Sequence, residues 1–219
     1  MAKFFNYYPK TLYTSNTQNA GIDTVTNIIS RFGFEKELKE NESAFYKYTV
    51  KDSDTPEIIA SKFYDDPERH WVVLLFNDII DPQFDWPLNY NSFIDFVSEK
   101  YSANGAANTT VQTGLEWAKD VNNVKEYYKV ITRTSSDGTE IIEKIEVDAN
   151  TYANVGTSSS SYTLQDGSSI TESITTDTKT YYDYENELNE AKREIKILKE
   201  EFVSQVEKEF KRVISLWVI

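Results

Sequence analysis

The chain has no cysteine and a single histidine, His70. Without cysteine there is no disulfide framework, no thiolate nucleophile and no thiolate-ligated metal, so stability has to come from packing or from partners. One histidine rules out a histidine pair for metal. It leaves a nucleophilic triad only through His70, and no nucleophile elbow or fitting serine motif accompanies that residue. Flanked by Arg69 and Trp71 in a predicted helix, His70 is read as structural. Long apolar runs are also missing. The opening Met1-Ala2-Lys3-Phe4-Phe5-Asn6 lacks a signal-peptide core, no stretch approaches a membrane span, and synthesis in the cytoplasm is expected. Basic residues are the minority, 23 against 36 acidic, and the resulting charge of −13 repels phosphate backbones and anionic lipid, which argues against nucleic acid and membrane as partners.

What is present suffices for a core: 219 residues, 39% of them apolar, accommodate one or two domains. Tyr48-Thr49-Val50-Lys51 alternates as a half-buried strand. Thr55-Pro56-Glu57 then supplies an N-cap hydroxyl, a proline at the first helical position and a first-turn acid, which predicts a helix from Pro56. Asp66-Pro67-Glu68 repeats the device and predicts a second helix presenting Trp71, Leu74 and Leu75.

Upstream, Phe4, Tyr7, Tyr8 and Tyr13 lie among asparagine and threonine without helical period. They read either as an aromatic arm laid on a partner or as a strand on the chain's own core. Ile28, Ile29, Phe32 and Phe34 follow as a short amphipathic segment. Downstream, Phe93, Phe96, Val97 and Tyr101 have helical spacing and are expected to pack back on the strand-helix-helix unit. Tyr128-Val130-Thr132 and Ile141-Glu143-Ile145-Val147 alternate around Ser135-Ser136-Asp137-Gly138 and predict a β-hairpin. Residues 156–180, rich in serine and threonine, read as a loosely ordered excursion or an extended ribbon held by neighbours.

From Asp183 onward, Leu188, Ala191, Ile195, Leu198, Phe202, Val206, Phe210, Val213 and Trp217 recur every three or four residues, which predicts one long helix with an apolar seam. Its charged faces include Glu207 and Lys211 in the favourable i,i+4 order. Such a helix exceeds what one small domain covers, so part of the seam is expected to lie on another chain. The candidate partner-binding residues are therefore Leu188, Ile195, Leu198, Phe202, Val206, Phe210 and Trp217, with Phe4, Tyr7 and Tyr8 from the arm.

Tyr48-x-Val50, Asp54-Thr55, Ile59-Ala60, Phe63, Leu74, Asn77 and Pro82 resemble the pattern of the LysM domain, although Ser53 stands in place of its glycine and Phe84-Asp85-Trp86-Pro87-Leu88 replaces its usual ending. More widely, Tyr48, Pro56, Ala60, Tyr64, Trp71-Val72-Val73-Leu74, Asn77-Asp78, Asp81-Pro82, Trp86 and Tyr101, together with Ile195-Lys196-Ile197, resemble the baseplate wedge protein family of T4-like contractile-tailed phages, gene product fifty-three. The resemblance implies a LysM-like strand-helix-helix-strand module joined to an N-terminal aromatic segment and a C-terminal helix; with the N-terminal arm, the β-hairpin insertion and the long C-terminal helix read from the residues, an α+β fold is expected. The segments are 1–43, 44–101, 102–182 and 183–219. The resemblance also implies a non-enzymatic structural subunit of the virion tail baseplate, present in several copies and clamping other wedge proteins, with the central hub as a further candidate partner.

LysM domains bind N-acetylglucosamine polymers, so Ser53, Asp54, Thr55, Asn77, Ile79 and Ile80 form a candidate glycan groove, with Phe84, Trp86 and Tyr90 as rings able to stack on sugars. A cell-wall glycan-binding module is the alternative function. The altered glycine position and ending favour the protein's own core or a protein interface for those rings. Asp52-Ser53-Asp54 lacks the glycine and terminal glutamate of a calcium loop, and Asp65 with Asp66 has no sugar cleft around it, so no metal, cofactor or catalytic pair is expected.

Overall fold

In the computed structural model, residues 4–13, 22–28, 32–107 and 112–215 are described. Ile29 and Trp217 lie outside them. A 3₁₀ turn at Phe4–Tyr7 precedes an antiparallel pair, β1 (Lys10–Tyr13) with β2 (Asp23–Thr26), and the short helix α1 (Lys36–Glu40). β3 is Phe45–Thr49. Helix α2 (Pro56–Tyr64) starts where the Thr55 hydroxyl accepts the Ile58 N–H, and it ends on Asp65 in the left-handed region at φ 52°. Asp66 caps the turn Pro67–Arg69, which runs into α3 (His70–Phe76). α4 (Pro82–Asp85) is capped by Asp81.

α5 (Tyr90–Lys100), α6 (Ser102–Ala106) and α7 (Gly114–Lys119) follow, α7 opening on a capping box between Thr113 and Glu116. The strands β4 (Val124–Ser135) and β5 (Glu140–Val147), helix α8 (Ala149–Asn154), strands β6 (Ser158–Thr163) and β7 (Ser169–Thr180) and helix α9 (Tyr181–Ala191) come next. β8 (Glu194–Leu198) and α10 (Glu200–Ser215) complete the order.

These elements form two compact units, and the first is discontinuous in sequence: residues 1–89 with 190–219 make one, and 90–189 the other. In the first, β8 pairs antiparallel with β3, Phe45 opposite Leu198 and Thr49 opposite Glu194. The strand that closes the strand-helix-helix unit is therefore encoded after the whole of the second unit. α2, α3 and α10 cover this pair with Ile59, Val72, Val73, Phe76, Val203, Phe210 and Ile214, and each fully buried side chain contributes about 1.5–3 kcal/mol. Tyr64 is fully buried with them and donates its hydroxyl to the Leu198 carbonyl at 3.0 Å.

The expected long C-terminal helix is corrected: it is α9, then β8, then α10. Ile195 and Leu198 fit a helical seam, but a helix would leave Ile197 off that seam. As a strand the segment buries Ile195, Ile197 and Leu198 together, and Ile197 is wholly inaccessible. No glycine or proline marks either break, so only the long-range pairing with β3 reveals them.

In the second unit the sheet order is β5-β4-β7-β6, all antiparallel. The serine- and threonine-rich stretch supplies two of its strands, β6 and β7, held by a full-length register between β7 and β4. On β4, Arg133 binds Glu172 at 2.8 Å and Glu143 at 3.3 Å, tying three strands across one face. The helices of this unit are α5, α6, α7, α8 and most of α9. Here α5 also departs from expectation: Phe93 and Val97 are buried in this unit, with Phe93 against Tyr182 and Tyr101 stacked on Trp117. A Cβ on Gly114 would lie 2.1 Å from the Ser98 carbonyl, so only glycine lets α7 approach α5 this closely. Glu185 is buried and accepts from the Tyr101 hydroxyl at 2.6 Å and from Lys100 at 2.7 Å. Burial, followed by the neighbouring Glu185 carboxylate, raises the Tyr101 hydroxyl well above the usual phenol range.

Candidate functional site

Most of the apolar seam lies inside the first unit. Ile195 and Leu198 are buried in β8, Val206 and Phe210 in α10, and half-buried Phe202 packs against the same core. Leu188 sits on α9 in the second unit, 46% exposed, so the residues read as one stripe are distributed over three elements. Trp217 lies outside the described residues.

The N-terminal aromatics pack on the chain's own core, from a 3₁₀ turn and neither as the strand nor as the partner-bound arm that the sequence leaves open for this segment. Phe4 stacks on Trp71 and Phe210 with ring centroids 5.2 and 5.0 Å apart, and Tyr7 and Tyr8 meet Phe210 edge-on. Phe210 is the hub: a fully buried ring with aromatic neighbours from the first turn, α3 and Phe32. Offset and edge-to-face pairs of this kind add about 0.5–1.5 kcal/mol each beyond burial.

The candidate glycan groove is largely consumed by the fold. The Asp54 carboxylate accepts from the Tyr48 hydroxyl at 2.7 Å and from the Lys51 N–H at 3.1 Å. Burial pushes this carboxyl up, but those two bonds and the charges of Lys62 and Lys51 outweigh it and hold the pKa below its ordinary value. Lys62 also donates to the Tyr48 hydroxyl at 3.0 Å. Thr55 is spent as the cap of α2. Asn77 donates to the carbonyls of Val73 and Lys196 and accepts the Lys196 N–H. Ile79 is buried, whereas Ser53 and Ile80 are exposed. Of the candidate stacking rings, half-buried Trp86 donates its indole N–H to the Asp54 carbonyl at 3.2 Å, and Pro87 beside it is buried. Trp86 is thus turned onto the backbone of the groove itself, while Phe84 and Tyr90 are exposed.

Arg193 escaped sequence reasoning because it sat on the predicted solvated face of a helix. Arg193 instead donates to the carbonyls of Val50 and Leu88, each at 3.2 Å, and pairs with Asp52 and Glu190 at 2.7 and 2.8 Å. It thereby ties the chain just before the second unit leaves to the chain just after it returns. The only legible hint was the Ile-Lys-Ile alternation that follows.

Among the exposed apolar side chains of this unit are Ile80, 72% exposed, and Phe84, 64% exposed, on either side of Asp81-Pro82, with Leu12 and Ile28 as open in the N-terminal segment. His70 begins α3 with its Nδ1 3.0 Å from the Pro67 carbonyl, a local backbone contact. Among the described residues, no group of three His, Cys, Asp or Glu side chains is placed to hold a metal ion, and no helix is long and apolar enough to cross a membrane.

A protein-family model described as "Base plate wedge protein 53" matches residues 3–213. Over 102 residues the chain is 28% identical to the baseplate wedge protein gp53 of Enterobacteria phage T4, covering 44% of this chain and 50% of that relative. The chain thus spans about half the length of the curated relative it matches. With a family match that runs through both units, the chain belongs to the base plate wedge protein 53 family.

Proposed function

We propose that the protein is a structural, non-enzymatic subunit of a phage tail baseplate wedge that clamps neighbouring wedge subunits together. The observation that carries this is the family match across residues 3–213. Within the first unit, the order β3, α2, α3 and the antiparallel return strand β8 supports reading it as a LysM-like module turned to protein binding. The capped starts of α2 and of the turn before α3, and the Tyr48–Asp54 hydrogen bond, involve the same residues that carry that resemblance.

The contacts to neighbours fall to exposed apolar side chains, among them Ile80 and Phe84, which flank Asp81-Pro82. Rings and isoleucines of this size are the usual anchors of protein interfaces. Partners are the other wedge proteins, with the hub as a further candidate, and the site of action is the tail baseplate. Co-expression of the full chain with the wedge subunits of its own phage, followed by size-exclusion chromatography, tests the reading. A stable co-eluting complex is expected, and a chain that elutes alone beside assembled wedges overturns the clamp.

A glycan-binding role is disfavoured because Asp54, Thr55, Asn77 and Trp86 are engaged internally. Titration of the full chain with chitin or peptidoglycan oligomers should give no saturable heat. A Kd below about 1 mM, about −4 kcal/mol, restores that alternative.

A further inference from the structure

Nearly every exposed strand edge in this protein carries a guard against pairing with another chain. The outward backbone of Lys196 on β8 is taken by the Asn77 carboxamide. β3 presents Lys47 on its outer side, β1 and β2 carry Lys10 and Asp23, and the half of β7 beyond β6 carries Asp177 and Lys179. The edge strand β5 holds Glu140, Glu143, Lys144 and Glu146. Charges at such positions oppose edge-to-edge association.

β6 has no such guard. It reads Ser158-Ser159-Ser160-Ser161-Tyr162-Thr163, without charge or proline, is the outer strand of its sheet and is exposed along its whole length. The Leu164 N–H bonds to the Ser168 carbonyl at 2.8 Å, and this fixes the alternation. The backbone groups of Ser158, Ser160 and Tyr162 face β7, while those of Ser159, Ser161 and Thr163 face outward. Those outward N–H and C=O groups have no hydrogen-bond partner among the described residues.

We propose that this edge pairs with the β6 edge of a second copy of the chain, antiparallel and centred on Ser161. In that register Ser161 meets its own twin, Ser159 faces Thr163, Tyr162 faces Ser160, and every outward donor and acceptor in the strand finds its complement. Hydroxyl pairs across strands are favourable, and no charge is opposed. That matters in a chain of net charge −13. The same operation centred on β5 would set Glu143 against Glu143 and Glu140 against Glu146. One face of the joined sheet continues a band in which Tyr162 lies opposite Ile170, and Ile174 opposite Ile131. One strand edge is a small contact beside the about 1,600 Å² of a standard interface, so the association is weak and trapping is the direct readout.

Because the chain has no cysteine, Ser161→Cys introduces its sole thiol. In the proposed pairing the two Cα atoms at that position lie about 5.5 Å apart, within disulfide reach. Two copies of Ser159→Cys sit about 14 Å apart, beyond it. Oxidation of each full-length variant with copper phenanthroline should give covalent dimer from S161C at least about tenfold faster than from S159C. Adding Ser159→Pro to S161C, which removes an outward N–H not used within the sheet, should abolish the cross-link while circular dichroism stays unchanged. Equal, collision-limited rates for the two cysteines overturn the proposal, as does faster cross-linking at position 159. If the chain stays uncross-linked but Ser161→Pro loses a wedge partner in co-purification, the second-copy assignment is overturned and the edge belongs to a strand of that partner.

Discussion

Asn77 holds the backbone of Lys196, 119 positions away in sequence, by both of its polar groups: its amide donates to the Lys196 carbonyl at 2.8 Å and its oxygen accepts the Lys196 N–H at 2.7 Å. A side-chain amide here does the work of a third strand. It satisfies the edge of β8 that faces away from β3, and it anchors that edge to the end of α3, where Asn77 also bonds the Val73 carbonyl at 2.8 Å. Replacing Asn77 with alanine leaves these backbone groups unpaired in a part-buried position, at an expected cost of about 1–3 kcal/mol by urea denaturation. Asn77→Asp should cost at least as much, since it sets a carboxylate oxygen against two carbonyls. An alanine variant within about 0.5 kcal/mol of wild type would show that water replaces the amide.

Arg193 bonds Leu88 and Val50, so the ends of the second unit's insertion are already joined inside the first. A chain lacking residues 90–189, with Asn89 joined to Glu190 by a short glycine-serine linker, should fold cooperatively, while residues 44–101 alone should not. The physical difference is β8 and α10, which supply Ile197, Leu198, Val203 and Phe210 to the core. Circular dichroism and thermal melts decide between them. A folded 44–101 fragment would contradict the pairing of β3 with β8.

Phe210 collects rings from the N-terminal turn, α3 and Phe32. Phe210→Ala should cost about 3–5 kcal/mol. The same substitution should release the first residues to protease, because Phe4, Tyr7 and Tyr8 lose their shared contact. A loss of stability with unchanged cleavage of that segment would mean the segment is held elsewhere.

The Asp54 carboxyl has a folded-state pKa below its ordinary 3.8. The unfolded chain therefore binds the proton more readily, so the contribution of this group is complete above 3.8 and is lost as pH falls through the folded value. Asp54→Asn should be less stable than wild type at neutral pH, and the gap should narrow in acid near pH about 3. A gap that is constant or widens toward acid would contradict the Tyr48 and Lys51 bonds as the source of the shift.

Ile80 and Phe84 are two of the exposed apolar side chains of the first unit, and they flank Asp81-Pro82 at the start of α4. Ile80→Asp and Phe84→Asp should leave the thermal midpoint close to wild type, yet weaken co-assembly with wedge subunits by at least about tenfold, equivalent to 1.4 kcal/mol. Normal assembly by both variants would move the clamp surface to another exposed apolar face.

Local chemistry alone fixed much of this protein. Thr55 with Pro56 and Asp66 with Pro67 start helices by capping, the alternation around Asp137-Gly138 makes a hairpin, and the apolar period of Val206, Phe210 and Ile214 makes an amphipathic helix. Each depends on neighbours a few residues apart. The tertiary structure decided what such patterns leave ambiguous. Ile195 with Leu198 fits a helical period and Ile195 with Ile197 a strand period, and the segment becomes a strand because β3 offers a paired edge and Asn77 takes the other side. The same closure turns an apparent partner-binding seam into the unit's own core, and it spends Asp54, Asn77 and Trp86 on internal bonds instead of a glycan. The strand pairing and the Asn77 bonds turn on contacts between residues more than a hundred positions apart, where burial and backbone pairing outweigh local preference.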